Sequence, residues 1–130
     1  MVDIVNIVSG PTTSMTTIYA AGTTSEDATP IVRYSSQTAV WVVPDGGVKL
    51  PNPQPADVVE VYAYGGNSVT VYPHDGGSIA IFNADVGVII PGTNNTGGAA
   101  IFRYCIAAND PGISNGKWGL VFSQPWPDLP

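Results

Sequence analysis

The chain has 130 residues, ten acids against four bases and a single histidine, for a formal net charge of −6. With 11% charged and 44% hydrophobic residues, 15 glycines and 12 prolines, it fits one turn-rich, β-rich domain rather than a set of long surface helices. Four scattered bases make no positive stripe for phosphates or an anionic bilayer, which excludes nucleic acid and membrane as expected partners.

Residues 2–8 are a β-branched run that ends at Ser9-Gly10-Pro11, which predicts a short strand followed by a breaker. The run carries an acid, Asp3, near its start and has no basic n-region or apolar stretch of signal-peptide length, so no export signal is expected. From Thr12 to Pro30 the residues are mainly Thr, Ser, Ala and Gly, and Met15, Ile18 and Tyr19 are the only large apolar side chains. Two readings are open. The segment is an extended arm that is ordered by lying on a neighbouring subunit, or it is a surface loop or weak edge hairpin. In the first reading Met15 and Tyr19 are protein-contact residues. Residues 1–30 are thus set apart as an N-terminal strand and arm.

Residues 31–123 carry the domain proper. Strand-like runs recur at Ile31–Tyr34, Thr38–Val43, Val58–Tyr64, Ser68–Tyr72, Ser78–Phe82, Val86–Ile90, Ala99–Ile106 and Lys117–Phe122. Between them stand turn residues such as Pro44-Asp45-Gly46-Gly47, Gly65-Gly66-Asn67 and Pro73-His74-Asp75-Gly76-Gly77, which read as hairpins. In Ser68–Tyr72 the alternation puts Val69 and Val71 on one face and Thr70 on the other, as a half-wet strand requires. No segment has sustained helical spacing. The expected fold is all-β, an antiparallel β-sandwich or jelly roll, with an extended N-terminal segment and a Pro-rich C-terminal tail at 124–130. Trp126, an aromatic within that stiff tail, is either a third candidate contact residue that docks on a neighbour or a residue packed on its own domain.

The chemistry-bearing residues are few. Cys105 is the only cysteine, so no internal disulfide forms. Cys105 and His74, the only histidine, cannot supply a zinc site, and Cys105 lies in a strand as a small buried or interfacial residue. The two Asp-Gly-Gly triplets at 45–47 and 75–77 each offer one carboxylate, too few for calcium, and read as turns. Carboxylate pairs such as Asp57 with Glu60, or Asp75 with Asp85, lie in no recognisable motif. Trp41 and Trp118 read as core or sheet-edge residues, with a sugar-stacking platform as the alternative. No catalytic residue, metal ligand or cofactor is assigned, and no enzyme activity is expected. The Asn94-Asn95-Thr96 triplet reads as a polar turn.

Asp45-Gly46-Gly47-Val48-Lys49-Leu50-Pro51, then Asn67-Ser68-Val69-Thr70-Val71-Tyr72-Pro73 with Gly76-Gly77-Ser78-Ile79, then Ala99–Phe102 and Lys117-Trp118, resemble phrases of small β-rich proteins of tailed-bacteriophage virions, especially head decoration or cement proteins. The resemblance covers Val43 to Phe122. It departs from the family at Ala80-Ile81-Phe82, where Asn-Gly often follows the isoleucine, and the first forty residues and the Trp126 tail match nothing in it. The resemblance implies a structural protein made in the host cytoplasm and carried on the outer surface of the phage head. There it binds the major capsid protein and stabilises the shell, commonly as a homotrimer. The same phrasing suits a tail- or fibre-associated module that binds carbohydrate or a receptor.

Overall fold

The computed structural model describes residues 15–63, 68–90, 98–105 and 116–125. Ten strands account for its regular structure: β1 (Met15–Tyr19), β2 (Thr29–Pro30), β3 (Gln37–Val43), β4 (Gly46–Lys49), β5 (Val58–Ala63), β6 (Val69–Tyr72), β7 (Ser78–Ile79), β8 (Val88–Ile90), β9 (Gly98–Cys105) and β10 (Lys117–Pro125). No helix occurs among the described residues. The strand predicted at residues 2–8 lies outside them.

The strands form two sheets. The larger has the order β1-β3-β5-β9-β10-β7 and the smaller β2-β4-β6-β8. From β1 to β9 each strand lies in the other sheet from the one before it, so the chain winds as a flattened coil. Each coil lays its strand parallel to that of the coil before. Met15 faces Ala39, 24 residues on; Gln37 faces Val58, 21 on; Thr29 faces Val48, 19 on; Gly46 faces Val69, 23 on. A parallel pair needs a long crossover, and here a strand of the opposite sheet supplies it. The last strands turn back: β9 is antiparallel to β5 and β10, and β8 is antiparallel to β6.

The expectation of an antiparallel sandwich or jelly roll is corrected by this pairing to two mixed sheets. The physical reason lies in the Asp-Gly segments. Pro44 to Gly47 does not return β3 beside itself but carries the chain from the larger sheet into β4 of the smaller one. Residues 73–77 carry it back from β6 to β7. Both are chain reversals, but between layers. Only β9 and β10 are consecutive and paired with each other. The strand expected at 78–82 ends at Ile79, where Ala80 takes a φ of 53° that no strand continues. The run 31–34 is not a strand, although the Ile31 N–H still donates to the Lys49 carbonyl.

The inner faces of the two sheets share one core. Val40, Val42, Val59, Val61, Ala100, Phe102 and Trp118 meet Val48, Val69, Val71 and Ile90, all nearly or wholly shielded from water. Each large apolar side chain buried this way contributes on the order of 1.5–3 kcal/mol. The Val69 and Val71 face is the inner one, as the alternation requires.

Candidate functional site

Alternation along β1, β3 and β5 sends every second side chain away from the core. The register aligns Thr17, Trp41 and Tyr62 in one row across these strands, with Tyr19 opposite Val43 in the next and Met15, Ala39 and Glu60 on the other side. Met15 and Tyr19 are 46% and 69% exposed, so the structure brings these two candidate contact residues onto one strand and one outer face. Trp126, the third, lies outside the described residues. Trp41 is half-buried on this outer face and Trp118 is fully buried in the core. The apolar run Val40–Val43 conceals which of its residues turn outward, so sequence alone does not separate these two tryptophans.

The rings of Trp41 and Tyr62 stand 5.6 Å apart, tilted by 42°, within the range of favourable aromatic pairs. The Tyr62 hydroxyl donates to Glu60 Oε1 at 2.5 Å. That hydrogen bond, followed by burial and the negative charge of Glu60, pushes the phenol up to about 12. Beside Trp41 lies a shallow pocket of about 420 Å³ lined by Thr17, Tyr19, Trp41 and Val43. The pocket was not legible in the sequence, because it depends on parallel partners 24 residues apart; the Glu60–Tyr62 lock joins two residues of one strand, where alternation puts both on the same face, and no motif marks it.

The candidate chemical residues serve other contacts. His74 is buried, and its Nδ1 accepts the Trp118 indole N–H at 3.0 Å. The Tyr104 ring meets His74 edge-on at 5.8 Å. Asp57, 1% exposed, holds the Arg33 guanidinium through both carboxylate oxygens and also accepts the Gln54 N–H. The Arg33 hydrogen bond is the main cause that keeps its carboxyl below the usual range, against the opposing effect of burial. Asp57 and Glu60 are therefore engaged by different partners. Asp75 and Asp85 line one shallow depression with Glu26. Asp75 pairs with Lys49 at 3.0 Å, and Asp85 accepts the Gly76 N–H at 2.8 Å. Cys105 closes β9 with its backbone opposite Lys117. Among the described residues no three His, Cys, Asp or Glu side chains are grouped to hold a metal, and no helix is long and apolar enough to cross a membrane.

The sheet edges differ in a way that bears on association. β2 is two residues long and contains Pro30, β7 is two residues and β8 three. β1 is five residues, Met-Thr-Thr-Ile-Tyr, with no proline and no charge, and among the described strands it has a neighbour on one side only. No family model, curated protein or solved structure matches the chain.

Proposed function

We propose that this chain is a non-enzymatic structural protein of a tailed-bacteriophage particle, a decoration protein that binds the major capsid protein on the outer surface of the head and stabilises the shell. The observation that carries the reading is β1, the one long, uncharged sheet edge among the described strands, with Met15 and Tyr19 exposed beside it. Natural sheets blunt such edges with proline, charge or brevity, as β2 does. An edge left open suits strand pairing with another copy, and many weak, symmetric contacts give a particle-bound protein its avidity. The Val69–Pro73 and Gly76–Ile79 phrases support the assignment to virion proteins, and a two-layered β core with His74 and Asp57 committed to internal contacts suits a coat module.

In this reading the protein is synthesised in the host cytoplasm and associates as a homotrimer. Sedimentation equilibrium of the purified chain at low micromolar concentration is expected to give about three times 13.5 kDa. Met15→Lys, which puts a charge on the edge strand, is expected to shift the mass toward the monomer without unfolding. Co-sedimentation with expanded, undecorated phage heads tests the partner. A chain that stays monomeric and leaves such heads unbound at saturating concentration refutes the reading.

A further inference from the structure

We infer that the outer face of the larger sheet carries a binding site for a neutral saccharide, centred on Trp41 between β1 and β5. The site rests on side chains and not on the backbone edge of β1, so it is compatible with β1 pairing and does not depend on the virion reading.

A pyranose ring has two apolar C–H faces and a rim of hydroxyls, and a site for it needs an aromatic wall beside a few polar groups. The pocket next to Trp41 offers that composition. Trp41 forms the wall, Val43 part of the apolar lining, and the hydroxyl-bearing side chains of Thr17 and Tyr19 complete it. Tyr62 packs against Trp41 at 5.6 Å, and Glu60 fixes Tyr62 through its hydroxyl. The wall is thus held from one side before any ligand arrives, which reduces the ordering needed on binding.

Charge narrows the ligand class. The register places the Glu60 carboxylate one row from Trp41 on this face, and the chain as a whole carries −6. Arg103 stands opposite Val58, a further row off. An anionic sugar or phosphate therefore meets repulsion at Trp41, and a neutral sugar does not. Size argues against a second copy as the occupant. Three strands about 4.8 Å apart and two outward positions about 7 Å apart define a patch on the order of 200 Å², whereas a stable protein interface takes about 800 Å² from each partner. Glu60 interrupts the apolar surface on one side and so keeps it from growing.

The test is an amide chemical-shift titration of the whole chain with neutral glucose, mannose and N-acetylglucosamine oligosaccharides up to about 10 mM, a range that captures the millimolar affinity of a shallow single-wall site. At least one series is expected to shift Thr17, Tyr19, Trp41, Val43 and Tyr62, with the rest of the spectrum unchanged. Trp41→Ala is expected to weaken binding at least tenfold, and Trp41→Phe, which keeps a ring over Tyr62, to weaken it less. Val32→Ala, at a side chain 82% exposed and away from the site, should bind as the parent does. The inference is overturned if no series shifts these residues, if folded Trp41→Phe and Trp41→Ala both bind as tightly as the parent, or if Trp41→Ala abolishes self-association, since a second copy would then cover the face. Binding to phage heads is read in a separate assay, so either reading can fail without the other.

Discussion

Asp57→Asn is expected to remove a large part of the stability of this fold, because the carboxylate ties the Arg33 and Gln54 segments together beside β9. It accepts from Arg33 Nε and from Arg33 Nη2 at 2.9 Å, and from the Gln54 N–H at 2.9 Å, while its own backbone carbonyl accepts the Tyr104 N–H of β9 at 2.8 Å. The amide keeps one acceptor and the same shape but presents an N–H₂ to the guanidinium, so at least one charge-assisted bond is lost. Hydrogen bonds to charged groups contribute about 1.5–3 kcal/mol. The larger cost of about 3–5 kcal/mol for breaking a fully buried ion pair does not apply, since the Arg33 side chain is 34% exposed and water can solvate it again. The expected loss is about 2–3 kcal/mol, on the order of 6–12 °C in Tm for a chain of this length, read by urea unfolding at pH 7. The pH dependence supplies a second measurement. The Asp57 carboxyl is held below its ordinary value in the folded chain, with the Arg33 hydrogen bond as first cause. Its contribution is therefore complete above about pH 4, the unfolded value, and is lost as pH falls through the lower folded value. The gap between parent and variant should close on acidification. A variant within about 0.5 kcal/mol of the parent at pH 7, the range of ordinary surface substitutions, would refute the reasoning, as would a gap that stays constant into strong acid.

Trp118→Phe is expected to destabilise by about 2–3 kcal/mol, because it opens space in the core and takes the donor from buried His74 Nδ1; equilibrium denaturation measures it. Gly77→Ala should lose about 1–3 kcal/mol by overpacking, since a Cβ there would stand 2.2 Å from His74 Cε1; altered near-UV circular dichroism with strand content retained is the expected signature. In an ultraviolet titration one tyrosine should ionise near pH 12, and Glu60→Gln should bring it down toward 10. Because the folded value is the raised one, this tyrosine's contribution to stability is complete below about pH 10 and fades as pH rises toward 12. A titration in which every tyrosine ionises together near pH 10 would contradict the Glu60–Tyr62 lock.

The strands that were legible in the sequence are those with apolar, β-branched or aromatic runs: β3, β5, β6, β8, β9 and β10 each fall within a few residues of the predicted spans. Three strands fall outside the predicted spans: the two-residue β2, and β1 and β4, which their composition hid. β1 has two threonines in a Thr-rich stretch, and only Ile18 turns toward the core. β4 begins with Gly46 and Gly47, which read as a turn. Its glycines serve close approach instead, for the Tyr72 ring lies against Gly47 so closely that a Cβ would meet its Cε2 at 2.6 Å. The pairing was less legible than the strands. Turn chemistry reports that the chain reverses, but not whether it returns to the same sheet or crosses to the other. A coil whose successive rungs differ in length, 19 to 24 residues, also leaves no repeat to detect. The candidate site suffered twice, since assembling Thr17, Trp41 and Tyr62 requires both the hidden strand β1 and the parallel register.

The coil has two unlike ends. At one, β8, β9 and β10 turn antiparallel and cover β5 and β6, which stops the parallel stacking much as a cap ends a solenoid. At the other, β1 and β2 belong to the first coil and, among the described strands, each is one edge of its sheet. On the proposed reading association is directional: among the described strands a partner strand finds its longest hydrogen-bonding row at the β1 end. Only the larger sheet offers it a useful length there, because β2 stops after Thr29 and Pro30 and Pro30 has no N–H to donate. A strand added beside β1 extends the outer face that carries Met15, Thr17 and Tyr19 without covering Trp41, which lies one strand farther in. The two proposals, self-association through the edge and saccharide binding on the face, are thus separable by position. Substitution at Met15 acts on the first and substitution at Trp41 on the second, while Tyr19, which flanks the edge and lines the pocket, is the residue at which both should respond.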